Sequence, residues 1–385
     1  MSATDASPRI GPDTPVVVAA RRTAVATVGR GFADVAVDEL AAPVLQALLT
    51  DLGPRRPQVD DVVLGNCTGP GGDVARVAAL RAGLGVDVPG VTVDRQCGSG
   101  LEAIRLGAAL VASGTARLVL AGGAESASTS PRPQRARFAP EPYADPDMGP
   151  AAETLAGRLG ISRERQDAYA ARSHRLALAA RARGTYSDEI VPVADLDEDD
   201  RPRSSLTVAK LASFRPAFAV RGTVTAGNSC GINDGAAAVA IVSERVRATL
   251  HIPGLAVLAS AVAGVDPALP GLGPVPAVAE ALDRAGRSIQ EVDQLEITEA
   301  FAAQVLACTD AWGLDPLAET PDIGATHVCP DGGAIALGHP WGASGALLVV
   351  RLFASMVRAS GPRIGLATCA VGGGQGVAMV WERVG

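Results

Sequence analysis

Short runs of β-branched and small apolar residues alternate along this chain with longer runs whose apolar positions recur at helical spacing. VVVAA (16–20), DVVLGN (61–66), VTVD (91–94) and RLVLAGG (117–123) read as strands covered on both faces, and 37–51, 73–84 and 100–113 read as the helices between them. From about 124 to 222 the texture changes. A turn-rich stretch, SPRPQRARFAPEPYADPDMGP, gives way to the helical SRERQDAYAARSHRLALAARARG and then to the acidic ADLDEDDRPRSS. Strand texture returns with AAAVAIVS and LAVLASAV, and the alternation runs to the end of the chain. The pattern predicts an α/β fold carrying a long insertion of loops and helices.

Residues 98–126 are echoed by 342–374. Each copy has small residues, an amphipathic helix, an Ala-Ser-Gly stop, an Arg-led strand and then glycines. Two copies at so long a period do not make a solenoid. They predict two similar halves around one site, with an N-terminal half over 1–123, an inserted loop domain with the strand returning to that half over 124–253, and a C-terminal half over 254–385.

At 385 residues the chain exceeds one ordinary core, which agrees with two halves. Hydrophobic residues make up 48% and charged residues 19%, and no apolar run approaches the ~20 residues that span a bilayer. A net charge of −7 argues against nucleic acid as the main partner, because that binding relies on clustered cations. The start of the chain lacks a basic segment followed by an apolar one, so the cytoplasm is the expected location. The basic stretch RPQRAR (132–137) reads as a solvated loop, or else as a dock for a phosphorylated ligand. Six cysteines form no CxxC pair and no zinc-like spacing, which predicts free thiols and no metal site.

One of these thiols stands apart. In DRQCGSG (94–100), Cys97 follows a strand and precedes a helix, where unpaired N–H groups and the helix dipole favour a thiolate. Nucleophile and inert packing residue are equally good readings of that segment alone. The echo changes the balance. GGAIALGHPWGASG (332–345) occupies the matching turn of the second half, so His339 is predicted to lie beside Cys97 as a base or oxyanion donor. The final GGGQG (372–376) precedes the strand-like VAMVWERV and no helix, so it reads as a hairpin, not a dinucleotide loop.

Taken together, RQCGSGLEA, GTVTAGNSCGINDGAAA, GVDPALPGLGPVPA, TEAFAAQ, GGAIALGHPWGASG and GGGQG resemble the motifs of the thiolases, the acyl-CoA C-acyltransferases, over essentially the whole chain. The resemblance implies a five-layered αβαβα fold of two like halves, an insertion that holds coenzyme A, and a homodimer or homotetramer. It implies acyl-CoA thioesters as substrates and no permanently bound cofactor, while Cys230 and Asp147, which depart from the family pattern, leave an acyl-carrier protein open as an alternative carrier. Carried over residue by residue, Cys97 becomes the acylated nucleophile and His339 its activator. The Cys97 backbone N–H and one near Gly374 become an oxyanion hole. Thr298 and Glu299 supply the second active-site motif, and Met148, Ser229, Cys230, Ala300 and Phe301 meet the pantetheine arm.

Several positions depart from that family pattern. Thr298 stands where the family has Asn, Asp147 where it has His, and Cys230 where it has Ser. The place of the family's second catalytic cysteine holds Ala370, with Cys369 next to it. Neighbouring residues on a strand face opposite ways, so either the strand end shifts register and Cys369 reaches the site or the second thiol is missing. Losing one donor or base of this kind costs ~2.7–4 kcal/mol, about 10²–10³ in rate. Three readings follow: formation or cleavage of a carbon–carbon bond between acyl thioesters; acyl transfer to another acceptor or decarboxylative condensation; and a non-catalytic scaffold or partner subunit.

Overall fold

The computed structural model describes residues 10–131, 137–318 and 327–385, so of the basic stretch only Arg137 falls within the described residues. The first half contains β1 (Pro15–Arg22), β2 (Ala26–Thr27), α1 (Val37–Leu52), β3 (Asp61–Gly65), α2 (Val74–Arg81), β4 (Gly90–Val93), α3 (Ser99–Ala112) and β5 (Leu118–Glu125). The excursion after β5 carries α4 (Met148–Leu159), α5 (Arg163–Ala182) and α6 (Val208–Leu211) before the chain returns as β6 (Asn233–Ser243) and α7 (Glu244–Leu250). Then come β7 (Gly254–Gly264), α8 (Pro274–Ala285), β8 (Gln294–Ile297), α9 (Ala302–Trp312), β9 (His327–Val328), α10 (Ala334–Leu337), α11 (Trp341–Leu352), β10 (Ile364–Val371) and β11 (Gln375–Val384). A π-helical turn, Phe353–Arg358, extends α11.

The sheet runs β4-β3-β5-β6-β1-β7-β11-β10-β8-β9. Its halves match strand for strand. Numbering the strands on this path within each half, both read 3-2-4-5-1 from the outer edge inward, with parallel pairing among the first three and antiparallel pairing toward the centre. The internal repeat in the sequence is thus a repeat of topology, joined where β1 meets β7 at Val16 and Val17.

Three apolar clusters set the layering. One packs α1 and α2 on the outer face of the first half-sheet, and another packs α8 and α9 on the outer face of the second. Between the half-sheets lies a third, built from Leu101 and Ile104 of α3, Val349 and Val350 of α11, and strand residues of both halves such as Ile241 and Met379. The order is helix, sheet, helix, sheet, helix, which is the αβαβα stack expected. Close packing of the central helices requires small residues. A Cβ on Gly100 would come 2.8 Å from the Ala346 nitrogen, and one on Gly345 would come 2.4 Å from the Leu101 nitrogen. Trp341–Arg358 is the one span among the described residues long and apolar enough to cross a membrane, and 78% of it is buried within the protein.

A charged network fastens the insertion to both halves. Arg22 of β1 reaches Glu189 at 2.9 Å and Asp199 at 2.8 Å, while Arg351 of α11 reaches the same Glu189 and, at 2.5 Å, Asp331. The two guanidinium groups flank the Tyr186 ring at 5.1 and 4.8 Å.

Candidate active site

The turn between β4 and α3 is closed by side chains. Asp94 Oδ1 accepts from the Gln96 N–H at 2.8 Å, and the Ser99 hydroxyl donates to the Gln96 carbonyl at 2.6 Å while accepting from the Arg95 N–H at 2.8 Å. Gln96 is thereby held at φ +46°, in the left-handed region, which costs a non-glycine residue about 1 kcal/mol or more. The next residue, Cys97, is left at the N-terminus of α3. The second turn is built differently. Gly338 has φ +117°, and a Cβ there would come 2.5 Å from Asn233 Cγ, so only glycine fits. Asn233 Oδ1 then accepts from the His339 N–H at 3.0 Å, which fixes the histidine just ahead of α11.

The two turns open on one cavity of about 220 Å³, lined among others by Cys97, Met148, Cys230, Phe301, His339 and Ala370. Cys97 also borders a smaller space of about 160 Å³ with Cys67, Phe138, Asp147, Met148 and Trp341. Phe218 meets Phe301 edge-on, with ring centres 6.1 Å apart, on the insertion side.

Burial controls the electrostatics here. It pushes the Cys97 thiol well up, with smaller upward effects from Cys230 and Cys369, so the dipole of α3 does not by itself make a thiolate. His339 is 2% exposed, and burial lowers it to about 4, which leaves a neutral imidazole at pH 7. Its Nδ1 lies 2.5 Å from Ser344 Oγ, which is in turn 3.0 Å from the Pro340 carbonyl. A carbonyl can only accept, so the hydroxyl gives its hydrogen to Pro340 and receives Nδ1–H from the ring. That tautomer leaves a lone pair on Nε2, which is buried and has no hydrogen-bond partner among the described residues.

The remaining predicted residues divide into two groups. Met148, Cys230, Ala300 and Phe301 line the cavity, as do Ala370 and Gly372. Thr298, Glu299, Ser229, Cys369 and Gly374 are not on its lining. Glu299 is wholly buried behind it, accepting from Tyr169 at 2.8 Å, Ser173 at 2.7 Å and the Ile335 N–H at 3.0 Å. Ser229 donates to the Thr225 carbonyl at 2.7 Å, and the Gly374 carbonyl accepts from the Val265 N–H at 2.7 Å. A shift of register bringing Cys369 to the site does not occur. β10 pairs with β11 without interruption through Cys369 and Ala370, so alternation turns Cys369 into the central core. There it lies 3.1 Å from Thr298 Oγ1, and burial raises its thiol to about 12.

Sequence reasoning missed three contributors. Ser344 and Asn233 orient His339 from a helix and a strand start. Glu125, fully buried, accepts from the backbone N–H groups of Cys67, Thr68 and Gly342 and ties the first turn region to α11. Asn233 and Ser344 both sit inside quoted motifs, GTVTAGNSCGINDGAAA and GGAIALGHPWGASG; no motif singles out Glu125.

Models of the thiolase N-terminal domain and the thiolase C-terminal domain match residues 15–245 and 253–383. The chain belongs to the thiolase family. An acetyl-CoA acetyltransferase of Pseudomonas aeruginosa is 43% identical, covering 96% of this chain and 99% of its own length. The putative acetyl-CoA C-acetyltransferase YhfS of Bacillus subtilis is 41% identical over 95% and 98% of the two chains. A crystal structure of the Bacillus anthracis acetyl-CoA acetyltransferase superposes with a TM-score of 0.88 at 36% identity, covering 96% of this chain and 99% of that one. This thiolase is therefore an acyltransferase of the type that joins or cleaves acyl-CoA thioesters, and the αβαβα stack is the thiolase fold.

Proposed function

We propose that this thiolase works through an acyl-cysteine at Cys97, using coenzyme A thioesters as both acyl donor and acyl acceptor. The observation that carries the reading is the Nε2 of a neutral His339, without a hydrogen-bond partner among the described residues, on the same cavity as the Cys97 thiol. Since burial keeps the thiol protonated, a base must take its proton as it attacks, and a neutral imidazole suits that task. The sulfur bonds to the acyl carbon, negative charge gathers on the carbonyl oxygen, and the coenzyme A sulfur departs. α3, α9 and α11 begin at Ser99, Ala302 and Trp341, beside cavity residues Cys97, Phe301 and Trp341, and the positive ends of their dipoles favour that charge. The enolate of a second acyl-CoA then attacks the Cys97 thioester, and cleavage follows the same steps in reverse.

In this reading Met148, Cys230, Ala300 and Phe301 meet the pantetheine arm, the segment 124–253 carries the coenzyme, and 1–123 and 254–385 supply one catalytic turn each. A homodimer or homotetramer in the cytoplasm belongs to the same reading, supported by family membership over the whole chain and by six cysteines that form no disulfide. The test is thiolysis of acetoacetyl-CoA and its formation from acetyl-CoA. Both should be present in the purified protein and absent in Cys97→Ala; activity persisting in that variant would remove the proposal. Acyl transfer to another acceptor, or decarboxylative condensation, draws support from Ala370 on the cavity wall, and malonyl thioesters as substrates would separate it from the first.

A further inference from the structure

A carbon–carbon bond between two acyl thioesters needs a group that removes an α-proton, and the cavity limits the choice. Among the described residues its lining holds three side chains able to exchange a proton, Cys97, Cys230 and His339; the others are aliphatic or aromatic, or are Gln304, Met148 and Trp341. During the bond-forming step Cys97 carries the acyl group and His339 holds the Cys97 proton. Cys369, the nearest alternative by sequence, is turned into the central core.

We propose that Cys230 is the second acid–base group of this site and that Arg201 holds the charge of its thiolate. The proposal rests on the acyl-cysteine reading above. Three further observations support it. The Cys230 N–H donates to the Ala300 carbonyl at 3.0 Å, which fixes the residue against the start of α9. Arg201 packs on the adjacent Gly231 so closely that a Cβ there would lie 2.2 Å from its Nη1. Arg201 forms no ion pair among the described residues: its Nη2 donates to the Ile335 carbonyl at 3.4 Å, and its Nε is buried without a partner. A cation beside a thiol favours the thiolate, and Asp200 acts on Arg201 only without direct contact. Burial raises the Cys230 thiol to about 12, and Arg201 acts against that rise.

The proton accounting closes. As Cys97 is acylated, its proton passes to His339 Nε2, and the departing coenzyme A thiolate takes the Cys230 proton and leaves as the free thiol. The Cys230 thiolate then removes an α-proton from the second acyl-CoA, becoming a thiol again, and the enolate carbon attacks the Cys97 thioester. The C–S bond to Cys97 breaks, and the Cys97 sulfur recovers its proton from His339. Nothing is oxidised or reduced.

The test uses full-length Cys230→Ser, Cys230→Ala and Arg201→Gln with three readouts: acetyl-CoA labelling of Cys97 by intact mass, exchange of acetyl-CoA α-hydrogens with deuterated water, and acetoacetyl-CoA formation. Serine keeps the size and a hydrogen-bonding hydroxyl but is a far weaker acid. Both cysteine variants are expected to acylate Cys97 more slowly, because water must then protonate the departing coenzyme A thiolate, while exchange and condensation measured on the acylated protein fall by a further ~10²–10⁴-fold; Arg201→Gln is expected to lower both steps in the same order, by less. Normal acylation with undiminished exchange in Cys230→Ser would overturn this proposal alone. Failure of Cys97 to acylate in the unsubstituted protein would remove the acyl-cysteine reading and this proposal with it.

Discussion

Replacing Ser344 by alanine tests the orientation of the base without touching the cavity wall. The Ser344 oxygen is the acceptor that holds the ring proton on Nδ1, 2.5 Å away. Without it, a ring protonated at Nδ1 leaves a donor unpaired in a site that is 2% exposed, which costs about 1–3 kcal/mol. The other tautomer places the proton on Nε2, where it cannot accept one from Cys97. At 1.4 kcal/mol per decade the ratio of productive to unproductive tautomer falls about 5- to 150-fold; because Nε2 has no partner among the described residues either, the two forms become nearly equal in population, and the Cys97 acylation rate should fall about two-fold from the tautomer alone and further as the untethered ring reorients. KM for acyl-CoA should change little, because Ser344 does not line the cavity. Single-turnover acetylation followed by mass spectrometry measures the rate directly. Acylation at the unsubstituted rate in Ser344→Ala would refute the assignment of Nε2 as the free lone pair.

Other expectations follow from the packing and the charges. His339 and His174 are both buried, and burial lowers both to about 4, with Arg201 and Arg203 adding to the effect at His174. Folded pKa values below the unfolded 6.5 mean that the unfolded chain binds more protons between these limits, so stability falls as pH drops from about 6.5 to 4. Each histidine should cost about 2 kcal/mol at pH 5 relative to pH 7; urea unfolding of His174→Asn at the two pH values should show a smaller loss than the parent, and an equal loss would contradict the argument. Glu189→Ala leaves Arg22 and Arg351 short of a buried partner, and loss of about 3–5 kcal/mol is expected from denaturant midpoints. Gly338→Ala forces a Cβ against Asn233 at a φ reserved for glycine, so thermal melting should drop by several degrees and Cys97 acylation should slow as His339 is displaced.

Much of this architecture was legible because burial writes itself into the pattern of apolar residues. The strand at 61–66 and the helix at 37–51 are observed at Asp61–Gly65 and Val37–Leu52, and the echo of 98–126 in 342–374 is α3 and β5 repeated as α11 and β10. Cys97 and His339 were legible for a related reason, since equivalent turns of duplicated halves must face each other. Period-two alternation also anticipated that Cys369 turns from the cavity in a regular strand. What the sequence could not carry was depth behind the wall. Glu299 stands in a catalytic-looking motif, yet Tyr169 and Ser173 from a helix some 130 residues earlier in the chain take up its oxygens. The thiolate expected at Cys97 from the helix terminus alone is opposed by burial, a quantity that depends on the insertion folding over the site. The pairing of Arg201 with the Cys230 loop has the same origin, because no local pattern reports which cation is left without a salt bridge among the described residues.

The central claim is that an acyl group resides on one particular sulfur among six. Brief incubation with acetyl-CoA, acid quench and peptide mass spectrometry should find the acetyl group on the peptide containing Cys97, and a parallel sample of His339→Ala should acquire it far more slowly. An acetyl group on a different cysteine, or none on any, would contradict the account.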